Sequence, residues 1–243
     1  MRPHPGAAAR LIDMPVISNS RRYGIIAAVI IAAVIIIDQI VKFWVKTSFY
    51  LGEDVQILSW FHLVFVENPG MAFGMTLGSK LFLTLFRIAV VILLGIYLCR
   101  ICRIRRLPLG YLVCVSLIIA GAAGNIFDCV FYGVIFNNPM PPQTATLFPA
   151  GGGYAPLFFG KVVDMFFFPL FSFTWPAWMP WVGGERFLFF QPVFNVADAA
   201  ISCGIIALIL FYARYILSPK ALDEALNPTG GENAGSETKT DEP

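Results

Sequence analysis

Seven polar side chains stand in or beside long apolar runs: Asp38, Lys42, Asn125, Asp128, Asp164, Asn195 and Asp198. Ionisable groups in such surroundings are costly and mark function by default. Asn125 and Asp128 are i, i+3, as are Asn195 and Asp198, so each amide shares a helix face with its carboxylate and can orient it. Asp38 and Lys42 are i, i+4, an ion-pair spacing. Two carboxylates brought together cannot both ionise cheaply and come to share one proton. One then acts as general base on water, while the other, protonated, polarises a carbonyl group.

Other chemistries lack their parts. The only histidines are His4 and His62, so a histidine-based metal site is not expected, and neither is a cofactor. Of the five cysteines, Cys99 and Cys102 have CxxC spacing but no second pair; in apolar runs cysteine behaves as a small hydrophobe. Ser116 and Ser202 have no lysine nearby, and Ser79–Lys80 lacks a suitable frame for serine–lysine chemistry. Each polar motif also has a structural reading. Asp38–Lys42 could be a snorkelling pair that sets helix depth, and the Asn/Asp pairs could be polar glue between helices.

The elements that must position these groups are apolar segments long enough to cross a bilayer. Hydrophobic residues make up 58% of the chain and charged residues 13%, against about 25% charged in a soluble domain. Four segments qualify, at about residues 23–45, 80–98, 109–127 and 196–217. The first is too long and apolar for a cleaved signal peptide and reads as a retained helix. Basic residues cluster before the first span (Arg2, Arg10, Arg21, Arg22), between the second and third (Arg100, Arg103, Arg105, Arg106) and after the fourth (Arg214, Lys220). The other two connections carry only Lys46, then Lys161 and Arg186, for their length. Both termini are therefore expected in the cytoplasm, with both long connections outside.

This reading divides the chain into a cytoplasmic segment 1–22, a four-helix membrane domain 23–217 with outer loops 46–79 and 129–195, and a disordered cytoplasmic tail 218–243. A strand-like stretch covers residues 56–66. Loop 129–195 is crowded with aromatics, Trp175, Trp178 and Trp181 among them, and suits the membrane interface. With this orientation Asp38, Lys42, Asn125, Asp128, Asn195 and Asp198 fall at the outer ends of three spans, with Asp164 in the loop above. Carboxylates from three helices at one depth favour a site over scattered glue. Asp198 has few rivals as one catalytic carboxylate. Rigid placement on a helix favours Asp128 as its partner; an apolar setting that raises a carboxyl pKa favours Asp164. A proton-coupled transporter is the alternative, but such carriers place their groups near the midplane and show internal repeats; no repeat is visible here.

Five runs in order carry a resemblance: DQIVK (38–42), NPGMAFG (68–74), GAAGNIFD (121–128), VVD (162–164) and FNVAD (194–198). In that order, between those spans, the chain resembles the lipoprotein signal peptidase, or signal peptidase II, family over about residues 24–217. The resemblance implies an all-α polytopic membrane protein with four transmembrane helices, a small extracytoplasmic β element and a long aromatic outer loop. It implies an aspartic endopeptidase of the bacterial cytoplasmic membrane, acting on a prolipoprotein that carries diacylglycerol on a cysteine and cutting just before that cysteine. By match, Asp164 and Asp198 are the dyad, and Asn125, Asp128 and Asn195 support it. Asn68 and Gly70 line the substrate groove, and Asp38 and Lys42 hold the first helix to the site. Sensitivity to globomycin, contact with membrane lipids and a monomeric state are expected with it, and no partnership with nucleic acid; a catalytically inactive relative would carry the same pattern.

Two departures stand out. The family usually carries Arg where this chain has Cys129, and Lys161 or Arg186 is expected to replace its contact. The link from Asp128 to Asp164 also carries an insertion around residues 136–160, and a further aromatic insertion follows Asp164. The orientation is testable: reporter fusions in the C-terminal tail should read as cytoplasmic and fusions within residues 137–160 as external. An external tail would overturn the depth argument.

Overall fold

The computed structural model describes residues 16–69, 80–104 and 107–217. The elements run α1 (Val16–Ser48), β1 (Asp54–Leu58), β2 (Phe61–Asn68), α2 (Lys80–Ile101), α3 (Leu109–Phe127), a π-helical turn (Asp128–Tyr132), the single turn α4 (Gly133–Ile135), β3 (Val162–Phe167), β4 (Phe171–Thr174), β5 (Arg186–Phe189) and α5 (Val196–Leu217). Four of these helices are long and apolar enough to cross a membrane: residues 20–48, 80–101, 109–135 and 196–215. They coincide with the segments read from the sequence. The first begins earlier than residue 23, and the third runs on through its π turn. The tail 218–243, like Gly70, lies outside the described residues.

α3 is the central helix. It packs on α5, α1 and α2, whereas the outer faces of the other three expose Ile25, Ile40, Phe82, Leu93, Leu210 and Phe211. Large apolar side chains facing outward suit lipid, which exacts no hydrophobic cost. At one end of the bundle an apolar cluster of Ala27, Leu98, Ile101, Tyr111, Leu112 and Val115 closes the core. At the other end Val45, Phe49, Phe65, Tyr132, Phe136, Val163 and Met165 join the helix ends to a sheet. The polar residues of α1 and α3 fall between these clusters in sequence.

The β content exceeds the all-α description with one small β element. β1, β2 and β3 form an antiparallel three-stranded sheet in that order, and β4 and β5 form a separate hairpin. In the first sheet Val66 faces Asp164 and Asn68 faces Val162. β3 was hidden in the sequence because its six residues are buried or partly buried without alternation, as an apolar run with no period of two. In the hairpin Phe171 stacks on Phe189 with centroids 5.1 Å apart, while Trp178 and Trp181 are 80% and 97% exposed.

The insertion around 136–160 folds back onto the end of α3. The wide π turn leaves carbonyls without their usual helical partners, and the returning chain supplies them: Gly160 N–H donates to Cys129 O (2.8 Å) and Phe158 N–H to Val130 O (3.1 Å). Gly160 passes so close that a Cβ there would lie 2.1 Å from Asp128 O. The GAAGN stretch of α3 uses glycine in the same way against α5, because a Cβ on Gly121 would meet the Ala197 carbonyl oxygen at 2.2 Å. Gly95 on α2 has nothing within 4 Å of that position. Gly121→Ala should therefore lower the thermal midpoint, at a cost of about 1–3 kcal/mol, while Gly95→Ala leaves it unchanged or raises it slightly. Equal midpoints for the two variants would contradict the close α3–α5 contact.

Candidate active site

Lys42 is the hub of the polar cluster. Its ammonium is fully buried and lies 2.9 Å from Asp38 Oδ2, 2.7 Å from Asp128 Oδ2, and donates to Asn125 Oδ1 at 2.8 Å. Gln39 closes the group by donating to Asp128 Oδ1 (2.8 Å) and accepting from Tyr132 OH (3.0 Å). The expected Asp38–Lys42 pair is present, but it is part of a larger bridge between α1 and α3.

α5 starts at a reciprocal cap. Asp198 N–H donates to Asn195 Oδ1 (2.8 Å), and Asn195 N–H donates to Asp198 Oδ2 (3.3 Å). This is the capping-box pattern with an Asn and an Asp in the two roles, which accounts for the N-x-x-D spacing. Asp38 completes the cap from α1 by accepting from Ala197 N–H at 2.9 Å. The helix N-terminus favours these carboxylates electrostatically.

β3 brings in Asp164. Its neighbour Phe166 exchanges backbone hydrogen bonds with Phe194, at 2.8 and 3.0 Å, which holds residue 195 beside residue 164. Asn195 Nδ2 then donates to Asp164 Oδ1 at 2.6 Å and lies 3.2 Å from Asn125 Oδ1. Asn125 Nδ2 donates to Asp198 Oδ1 at 2.8 Å. The amides thus do not orient the carboxylates three residues away on their own face, as the spacing suggested for Asn125. That amide turns to Asp198 on α5, and Asp128 is taken by Lys42 and Gln39.

The cluster therefore sorts into two parts. Asp38 and Asp128 are buried to 1% and 0% exposure in ion pairs with Lys42. Asp164 and Asp198 line a cavity of about 330 Å³, together with Asn68 and Asn125. The rest of the wall is largely apolar, from Phe86, Val90, Val91, Ala122 and Ile201, with Arg87 among the lining residues. Burial, and then the Asp198 charge beside it, push the Asp164 carboxyl from the ordinary 3.8 up to about 7, against hydrogen bonds from Asn195 and Asn68 that pull it down. Asn68 is thus at the cavity; Gly70 lies outside the described residues.

A second buried group went unread in the sequence. Glu67 on β2 pairs with Lys46 of α1 and, at 2.7 Å, with Lys161. Burial pushes the Glu67 carboxyl up, but Lys46 and Lys161 bring it below the usual range. A signal existed: Asp38, Lys42 and Lys46 form an i, i+4, i+8 stripe on α1. Lys161 is thereby committed to Glu67, and Arg186 donates to Ser172 Oγ on the exposed hairpin (3.0 Å). Neither replaces an arginine at position 129. The guanidinium near Cys129 is that of Arg87, 3.6 Å from Nη1 to Sγ.

The fold, four long apolar helices with small antiparallel sheets, has solved counterparts. Two bacterial membrane enzymes solved by the in meso method superpose with TM-scores of 0.51 each, at 23% and 20% identity, covering 76% and 89% of this chain and 90% and 94% of theirs. Lipoprotein signal peptidases from two strains of Porphyromonas gingivalis are 51% identical over 193 residues, 79% of this chain and 85% of theirs. The lipoprotein signal peptidase of Amoebophilus asiaticus is 35% identical over 206 residues, 82% of each chain. The family described as Signal peptidase (SPase) II matches residues 30–214, and the chain belongs to that family, a multi-pass membrane protein.

The raised Asp164 carboxyl has a consequence for stability. A carboxyl whose folded pKa lies above its unfolded value binds its proton more tightly in the folded state, so stability falls as pH rises from about 4 through about 7. Asp164→Asn should remove that loss. Its thermal midpoint relative to the unaltered protein should therefore be more favourable at about pH 8 than at about pH 5. A difference independent of pH, or of opposite sign, would contradict the buried proton.

Proposed function

We propose that the chain is an aspartic endopeptidase that removes the signal peptide from diacylglyceryl-modified prolipoproteins, cutting just before the lipidated cysteine, with Asp164 and Asp198 as the dyad. The observation that carries this reading is that these two carboxylates, alone among the buried and half-buried aspartates of the cluster, line the cavity, while Asp38 and Asp128 are both taken up in pairing with Lys42.

The Asp164 carboxyl, pushed up to about 7 by burial and the neighbouring Asp198 charge, serves as the proton donor of the pair. Asp198 takes a proton from water as the water oxygen attacks the scissile carbonyl carbon. Asp164 donates its proton to the carbonyl oxygen, giving a neutral tetrahedral intermediate. Collapse re-forms the carbonyl as a hydroxyl proton returns to Asp164, the C–N bond breaks and the leaving amine takes the proton held by Asp198. Asn195 donates to Asp164 Oδ1 and Asn125 to Asp198 Oδ1, which orients the two carboxylates at the cavity. The site uses no metal in this scheme, and among the described residues no three His, Cys, Asp or Glu side chains converge to hold one.

The apolar wall of Phe86, Val90, Val91 and Ile201 suits a hydrophobic signal sequence or acyl chain. Globomycin would compete for the same cleft. The enzyme works as a monomer in the bacterial cytoplasmic membrane, with both termini inside and the site at the outer face. The exposed tryptophans of the β4–β5 hairpin suit the lipid interface there.

Incubating purified protein with a diacylglyceryl-modified prolipoprotein and following signal-peptide release tests the activity. Asp164→Asn and Asp198→Asn should each abolish release in folded protein, and the double substitution should be little worse than either. Asp128→Asn should chiefly lower folded yield and keep residual turnover. Substantial turnover by Asp164→Asn, with none from Asp128→Asn at equal folded yield, would reverse the assignment.

A further inference from the structure

A buried ion pair outside the Lys42 cluster has no part in the hydrolysis scheme. Glu67 on β2 meets Lys46 in the last turn of α1, and both side chains are almost fully buried. The Lys46 ammonium lies 5.3 Å from the ring centroids of Phe136 and Tyr154 and 5.5 Å from that of Phe65. The second oxygen of Glu67 accepts from Lys161, the residue before β3, at 2.7 Å. A buried charge pair is a weak source of stability beside an apolar pair of the same volume, and its best-attested use is to specify register.

The register beside this group is irregular. β2 and β3 pair His62 with Phe167 and Leu63 with Phe166, then Val66 with Asp164, Glu67 with Val163 and Asn68 with Val162. Val64 and Phe65 together stand opposite the single residue Met165, which makes a β-bulge, a device that re-aims side chains next to active sites. In a straight ladder the first two pairings would continue as Phe65 with Asp164 and Val66 with Val163. A slip by one residue exchanges the two faces of a strand. In the bulged register Asn68, Val162 and Asp164 share a face, and all three line the cavity. Glu67 shares the other face with Val163 and Met165, in the apolar cluster that holds Phe65. The straight ladder would set Asp164 opposite Phe65 and away from the cavity. It would also carry Lys161 to the face of Asn68, out of reach of Glu67.

We infer that Glu67, held by Lys46 and holding Lys161, locks the bulged register of β2 and β3 and thereby aims Asp164 at the cavity, so that Glu67 and Lys161 are positioning residues of the dyad. The effect on catalysis rests on the peptidase reading above; the lock itself does not. α1 then carries two anchors one turn apart. Lys42 reaches Asp198 through Asn125, and Lys46 holds the strand of Asp164 through Glu67 and Lys161.

Two readouts on full-length protein in lipid nanodiscs test this. The first is a cysteine pair, Val66→Cys with Val163→Cys. These positions point to opposite faces in the bulged register and become directly opposed in the straight one, at a Cα separation of about 4.5–5.5 Å that suits a disulfide. Mild oxidation, with the bond mapped by mass spectrometry, should join positions 66 and 163 when Glu67→Gln or Lys161→Met is added, and should not join them when Glu67 and Lys161 are intact. The second is turnover of a diacylglyceryl lipopeptide. Both substitutions should lower kcat about tenfold or more, as misplacement of a reacting group does, and Lys161→Arg should retain it. KM should change little, because the apolar wall that suits the acyl chains lies on α2 and α5. Lys161 is partly exposed, so Lys161→Met carries the comparison should Glu67→Gln fold poorly. Failure of the disulfide to form in folded Lys161→Met protein, or its formation with Glu67 and Lys161 intact, would overturn the lock. A disulfide that forms in the variants without a fall in kcat would overturn the positioning role. If the unaltered protein cleaves nothing, the peptidase reading fails while the disulfide still decides the lock.

Discussion

Everything at the polar end of this bundle depends on keeping one ammonium charged in a place without water. Lys42 has no exposed surface, and a lone charge there would carry a desolvation penalty of several kcal/mol. Two carboxylates and an amide oxygen meet it from three directions: Asn125 on α3, Asp128 in the π turn that follows it, and Asp38 on its own helix. The requirement acts both ways. Asp38 and Asp128 are equally buried and need Lys42 as much as it needs them. None of the three can be satisfied unless α1 and α3 are in register at this depth, so the electrostatic demand fixes a helix–helix alignment that apolar packing in lipid would leave loose.

The candidate dyad hangs from that bridge by hydrogen bonds. Asp38, held by Lys42 on one oxygen, uses the other to cap α5 at Ala197. Asn125, also held by Lys42, donates to Asp198. Asn195, the cap residue of α5, reaches Asp164 on β3. Asp198 is therefore two hydrogen bonds removed from Lys42, through Asn125, and Asp164 three, through Asn125 and Asn195. They stay close enough to inherit its rigidity and far enough to avoid being neutralised by it. Asp164 can accordingly keep a proton near neutral pH while Asp128, at the ion pair itself, is committed to structure.

The sheet contributes more than a roof. β3 is tied on one side to β2 and on the other to the segment before α5, so a loop residue is held nearly as firmly as one on a helix. Glu67, clamped between Lys46 and Lys161, locks the same sheet to the end of α1. In the sequence, rigid placement on a helix favours Asp128. The structure removes that contrast, since a strand pinned on both edges positions Asp164 as well.

How much of this was legible beforehand follows from the range of the forces involved. Apolar runs of bilayer length are a local property, and they alone located the four long helices, though the third runs on through its π turn to residue 135. The cost of burying charge is local too, and it singled out Asp38, Lys42, Asn125, Asp128, Asp164, Asn195 and Asp198, which the structure joins in one hydrogen-bonded cluster, while passing over the buried Lys46–Glu67 pair. Pairing is not local. Spacing of three suggested that Asn125 serves Asp128, whereas the α3–α5 approach at Gly121 brings Asn125 to Asp198 instead. The same limit hid Arg87, an unremarkable charge on an apolar helix until α2 and the π turn set it beside Cys129 and the cavity. The sequence by itself determined which groups had to find partners, because burial is a cost each residue carries alone. Only the tertiary structure decided which partners they found, because hydrogen bonds and ion pairs reach about 3 Å and depend on helices meeting across more than 150 residues of chain, as Asp38 meets Ala197.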